Sequence, residues 1–238
     1  MKITIGHLYP DLLNLYGDRG NIQCMKMRLE WRGYETQVIE YNLGDAIDFS
    51  KLDIVLLGGG SDREQMIVCR RLQEIQKDFQ AYVEDNGVVI AVCGGYQLLG
   101  HAYSTPDGDM EGLHLVDLTT KQGSPRLISN IVLENPMFPY PVTGFENHGG
   151  RTYIGSNKPF GRVICGYGNN GEDGQEGVMY KNVIGTYIHG PLLPKNPHVC
   201  DLLISRALER KYGNGKLSGL DDTQEKEANA YIVGRFRK

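Results

Sequence analysis

The chain has 238 residues, is 40% hydrophobic and carries a formal net charge of −4. These values describe a soluble globular protein with room for one large α/β unit. They speak against a basic nucleic-acid-binding field and a polybasic membrane patch, and no apolar run is long enough to cross a bilayer.

Met1-Lys-Ile-Thr-Ile-Gly runs straight into a strand pattern, without the regions of a signal peptide. Ile3 and Ile5 mark that first strand. Residues 7–21 are too glycine-rich for a helix and too apolar for a free loop, so they are placed over the end of a sheet. A helical pattern follows, with Ile22, Met25 and Leu29 on one face, and stops at Gly33, the usual residue past a helix C-terminus. Val38 and Ile39 mark a second strand. Leu52 to Leu57 is a third, apolar on both faces like a strand covered from both sides, and it ends in Gly58-Gly59-Gly60. Ser61 and Glu64 have the spacing of a capping box. Val68, Leu72, Ile75, Phe79 and Val83 then predict one long amphipathic helix. Val88 to Val92 is another buried strand. It ends at Cys93, and Gly94, Gly95 and a helical segment follow at once. This alternation is that of a parallel sheet with right-handed crossovers, in which ligands bind beyond the carboxyl ends of the strands.

After Gly100, apolar runs shorten and alternate with Gly, Pro, Asn and Asp. Residues 113–118, 127–133, 142–145 and 163–167 predict short, partly antiparallel strands. Residues 168–177 predict a mobile turn. Val183 to Ile188 reads as one more buried strand, ending at His189. Val199 to Leu208 is helical and finishes near Gly213, and the polar residues 214–238 read as a loosely attached helical tail. With no repeat and no linker, residues 1–238 read as a single domain.

The five cysteines (Cys24, Cys69, Cys93, Cys165 and Cys200) form no Cys-x-x-Cys, so neither a zinc site nor a disulfide framework is supported. A reducing, cytoplasmic compartment is expected. Cys93 stands out by its setting: a strand that delivers a side chain onto a sharp turn before a helix is the layout of a nucleophile elbow. A thiol attacks as its thiolate, which a helix N-terminus and a neighbouring imidazole favour; His189, at another strand end, is the candidate base. The resulting oxyanion needs backbone N–H donors. Gly94, just after the nucleophile, is one. Gly59 is the other, because no side chain blocks its approach. The reaction class is acyl transfer through a thioester. Each feature alone has a plainer reading. A strand-end cysteine or histidine is more often packing, and a triple glycine is a tight turn or a phosphate cradle. No P-loop motif accompanies the glycines. The other four cysteines, with His7, His101, His114 and His198, are assigned structural or surface places.

Cys93-Gly-Gly-Tyr-Gln97 resembles the Cys-x-Gly-x-Gln elbow of class I glutamine amidotransferases. Residues 58–65, 144–152 and 185–191 resemble motifs of their cobyric-acid-synthase-like branch, and within it the GatD-type glutaminase subunits of lipid II isoglutaminyl synthase. The likeness runs from His7 to near Arg210. It implies a flavodoxin-like α/β fold, a mostly parallel sheet flanked by helices, with extra antiparallel strands in the second half. It implies that Cys93 attacks the side-chain amide of L-glutamine and that His189 carries the proton. It further implies that Gln97 contacts glutamine and that Arg126 binds the α-carboxylate; Asn147 and His148 are placed in the same pocket. Many class I members carry a glutamate two residues after the histidine. Pro191 stands there in this chain, so a Cys–His dyad is expected, and Glu146 and Glu176 receive no role. The resemblance also implies a heterodimer with a Mur-ligase-like, ATP-using subunit (MurT), which amidates the D-glutamate α-carboxylate of lipid II to D-isoglutamine. No cofactor, metal, nucleic acid or transmembrane segment is implied; membrane contact is peripheral, through the complex. The competing readings are another acceptor, such as a cobyrinate-type carboxylate, and a catalytically inactive binding module of the same fold.

Overall fold

The computed structural model describes residues 1–15, 17–105 and 108–236. In chain order its elements are β1 (Lys2–Leu8), α1 (Arg19–Glu30), β2 (Glu35–Tyr41), β3 (Ile54–Leu57), α2 (Asp62–Gln73), α3 (Gln76–Glu84), β4 (Val88–Val92) and α4 (Gly94–Leu98). There follow β5 (Ala102–Thr105), β6 (Gly108–Glu111), β7 (Thr119–Glu134), β8 (Val142–Tyr153), β9 (Gly161–Cys165), β10 (Gln175–Glu176), β11 (Val178–Tyr180), β12 (Val183–Thr186) and β13 (Ile188–His189). Three helices, α5 (Leu192–Lys195), α6 (Pro197–Tyr212) and α7 (Thr223–Phe236), end the described chain.

The first sheet has the strand order β11-β12-β4-β3-β1-β2. Its inner ladders are all parallel, and β11 closes one edge antiparallel. Every residue of β3 and β4 is buried, which explains why their sequences show no alternation. Leu57 pairs in register with Ala91, so the glycine turn and Cys93 leave neighbouring strands at the same level. The mostly parallel α/β sheet inferred from the alternation of strand and helix is present. In the second sheet β7 is the spine: β8 runs along one edge, while β5 and β9 share the other.

Several expectations are corrected. The single long helix is two, α2 and α3. Ile75 takes φ −117 and ψ 19, and its N–H turns to Leu72 O. The break lets the Gln73 and Gln76 amides donate to the carbonyls of Glu111 and Leu113. It also allows Phe79 to stack on Phe49, with ring centroids 4.6 Å apart. Residues 113–118 form no strand. Their apolar side chains are buried because the segment wraps the end of α4, with the Leu113, Leu115 and Val116 N–H groups donating to Leu98 and Leu99 carbonyls. The glycine-rich turn is pinned: buried Asn169 bonds both the N–H and the carbonyl of Gly177, and the Asn170 side chain accepts from the Glu172 and Asp173 N–H groups. The capping box at Ser61 and Glu64 forms as expected. In α7 the one buried residue is Asn229, whose amide donates to Pro141 O. No helix among the described residues is long and apolar enough to cross a membrane.

Candidate active site

Cys93 sits between β4 and α4 at φ 51 and ψ −106. A non-glycine residue in that region is strained, and the strain is held by its surroundings. The Cys93 N–H donates to Thr186 O at 2.8 Å, and the Gln97 N–H returns to Cys93 O at 3.0 Å. The Gly95 N–H donates to Gly58 O, and a Cβ on Gly95 would lie 2.4 Å from Leu57 O. Glycine at this position therefore lets α4 start hard against β3. The Gly94 N–H is directed at the Cys93 sulfur. Burial pushes the thiol up to about 12. Asp18 adds to that rise, and the Gly94 N–H and Arg126 oppose it.

The glycine turn lies against the elbow. A Cβ on Gly59 would come within 3.1 Å of Cys93 Cβ. The Gly59 N–H, expected as an oxyanion donor, instead donates to Asp18 Oδ2 at 3.0 Å, and the Gly59 carbonyl accepts from the Leu15 N–H. Of residues 7–21, expected over the sheet end, His7 and Leu8 belong to β1 and residues 19–21 to α1; between them Leu15 and Asp18 reach the glycine turn, and Asp18 occupies the donor. Asp18 holds the N-cap position of α1 but makes no side-chain cap bond there. Burial raises its carboxyl to about 6, partly offset by the Gly59 N–H. Sequence reasoning missed this residue, because an aspartate before a helical run reads as a cap.

The expected strand at 183–188 breaks at Tyr187. The Tyr187 N–H donates to Glu176 Oε1 at 2.7 Å, and the Ile188 N–H donates to Thr186 Oγ1 at 3.0 Å. The Thr186 hydroxyl in turn donates to Glu176. Side chains have replaced the ladder partners, so the chain leaves the first sheet and β13 pairs with β8. Thr186 is the register partner of Val92, the residue before the elbow, so His189 follows three residues after that last paired level. Burial lowers the His189 imidazole to about 3, with His148 and Arg126 acting in the same direction. The imidazole is therefore neutral near pH 7. Burial also raises the Glu176 carboxyl to about 8. Glu146, equally buried, accepts from the Tyr167 and Gly168 N–H groups, and its carboxylate is 3.7 Å from His148 Nε2.

Arg126 donates to both the side chain and the backbone carbonyl of Asn147, each at 3.0 Å, and its charge acts on Cys93 and His189 alike. Gln97 is buried, and its amide donates to the Tyr187 hydroxyl at 3.1 Å. His148 stacks on Tyr187 with ring centroids 3.6 Å apart. Cys93, Gly59 and Gly94 thus meet at one sheet end, the Arg126 charge acts on both Cys93 and His189, and Gln97 lies in a hydrogen-bonded wall with Tyr187.

Residues 4–197 match the CobB/CobQ-like glutamine amidotransferase domain. The chain belongs to this family. Over its whole length it is 43% identical to the glutamine-hydrolysing GatD subunit of lipid II isoglutaminyl synthase from Staphylococcus aureus (strain N315), covering 97% of that protein. The GatD subunit of Streptococcus pneumoniae (strain ATCC BAA-255 / R6) is 42% identical over 89% of this chain and 83% of its own. A crystal structure of a glutamine amidotransferase superposes with a TM-score of 0.56 over 85% of this chain and 98% of that one, at 14% identity, a likeness of fold alone. The class I amidotransferase fold implied by the motifs is the fold present, and this CobB/CobQ-like chain is a glutamine amidotransferase.

Proposed function

We propose that this amidotransferase hydrolyses L-glutamine through Cys93 and His189 and passes the ammonia to a Mur-ligase-like subunit that uses ATP to amidate the D-glutamate α-carboxylate of lipid II. One observation supports the chemistry above all: the cysteine held at positive φ where a buried strand turns into a helix. The acceptor and the partner are inferred from the two related lipid II isoglutaminyl synthase subunits.

His189 takes the thiol proton as the Cys93 sulfur bonds to the amide carbon of glutamine. The C–N bond then breaks, the same proton leaves with the nitrogen, and ammonia departs. Water, deprotonated by His189, cleaves the thioester to glutamate, and the proton returns to the sulfur. The Gly94 N–H faces the oxyanion, joined by the Gly59 N–H once Asp18 releases it. Arg126, steadied by Asn147, pairs with the substrate α-carboxylate, and Gln97 acts in the wall behind it.

The test is amidation of lipid II by the chain co-purified with a Mur-ligase-like partner. Wild type is expected to use glutamine or ammonium chloride, and the Cys93→Ala complex only ammonium chloride. A Cys93→Ala complex that still uses glutamine rejects the mechanism. A wild-type complex that releases glutamate yet leaves lipid II unchanged rejects the acceptor.

A further inference from the structure

Beyond α4, away from the elbow, four side chains form a row that the amidotransferase chemistry does not use. His101 lies three residues past the end of α4, and His114 lies in the segment that wraps it. The two Nδ1 atoms are 2.9 Å apart. His101 Nε2 is 3.0 Å from Asp117 Oδ1, and His114 Nε2 is 3.1 Å from Glu111 Oε1.

A hydrogen count exposes a deficit. Each of these three contacts needs a hydrogen between its heavy atoms. A neutral imidazole brings one N–H and a carboxylate brings none, so three contacts share two hydrogens. The carboxylates are the stronger acceptors and take the Nε2–H groups. That leaves two Nδ1 lone pairs facing each other, a position that a shared proton or a metal ion would fill.

We propose that this position binds one divalent transition-metal ion of the zinc class, with the two Nδ1 atoms as protein ligands. A carboxylate behind each ligating imidazole is the usual support of such ions. Tetrahedral coordination with metal–nitrogen bonds of about 2.0–2.1 Å needs the nitrogens about 3.3 Å apart, so the rings must part by about 0.4 Å and turn until their lone pairs converge on the ion. The two side chains are 41% and 40% exposed, which permits that shift and leaves room for water ligands. The backbone around them is built: the His101 N–H donates to Leu118 O, the Gly112 N–H to His101 O and the His114 N–H to Gly100 O. His114 is held at φ 51, a strained conformation for a non-glycine residue. Among the described residues no three His, Cys, Asp or Glu side chains converge to hold a metal, so the protein supplies two ligands and water the rest. The ion would staple residue 101 to residue 114 and fix the segment whose Leu113, Leu115 and Val116 are buried beside α4.

The experiment is calorimetric titration of the metal-free full chain with zinc chloride at neutral pH, beside His101→Gln and His114→Gln. Thermal melts establish that each variant is folded. Wild type is expected to take up one more zinc ion than either variant, to release about one proton per ion as read from the buffer dependence of the heat, and to melt higher with zinc. Asp117→Asn keeps both ligands, and it is expected to weaken uptake at that site by about tenfold or more. Equal zinc uptake by wild type and both histidine variants would overturn the proposal and leave a shared proton as the occupant.

Discussion

Replacing Asp18 by Asn tests how the glycine turn is held. In the native chain the buried Asp18 carboxyl is raised from 3.8 to about 6, chiefly by desolvation. Its folded pKa lies above the unfolded one, so the native state binds the extra proton between them, and stability falls as pH rises through that window. A shift of about two units, at about 1.4 kcal/mol each, costs the native state about 3 kcal/mol at pH 7. Asparagine keeps an acceptor for the Gly59 N–H and removes the charge. Asp18→Asn is therefore expected to resist urea better at pH 7, by up to about 3 kcal/mol, with the gain shrinking as pH falls towards 4. The same substitution removes the charge that, after burial, most raises the Cys93 thiol. Iodoacetamide should then alkylate Cys93 about tenfold faster at mildly alkaline pH. A variant that is less stable than wild type at pH 7, or equally stabilised at both pH values, refutes the reasoning.

Three further outcomes are expected. With the Cys93 thiol near 12 and His189 near 3, alkylation of the isolated chain should climb steadily with pH; a plateau near neutrality would mean a resting thiolate–imidazolium pair. Gly95→Ala drives a Cβ to within 2.4 Å of Leu57 O and should lower unfolding stability by about 1–3 kcal/mol in urea titrations; an unchanged midpoint would mean the α4–β3 contact is slack. Arg126→Ala should raise the glutamine KM about tenfold or more with a smaller change in kcat; an ordinary KM removes Arg126 from the substrate.

Local patterns carried much of the architecture. The runs at 54–57 and 88–92 lack alternation because both faces of β3 and β4 are covered, and the capping box at Ser61 follows from spacing alone. The elbow was visible because a strand, a cysteine and two glycines are contiguous. What stayed hidden depends on contacts far apart in the chain. The kink at Tyr187 is made by Glu176 taking a backbone N–H, and nothing in residues 183–188 announces it. Asp18 reaches Gly59 across the sheet end, although its place before α1 suggests a cap. Ile75 keeps the helical period of its neighbours while its own backbone turns aside, since periodicity records which face is buried and not whether the axis is continuous.

The central claim is that Cys93 is the nucleophile of a glutaminase. The direct measurement is glutamate release from glutamine by wild type and Cys93→Ala, each assayed alone and with the Mur-ligase-like partner. The account predicts that the substitution lowers the rate by at least about a thousandfold wherever wild type is active, with the fold intact by circular dichroism. Glutamate release at the wild-type rate from folded Cys93→Ala would contradict it.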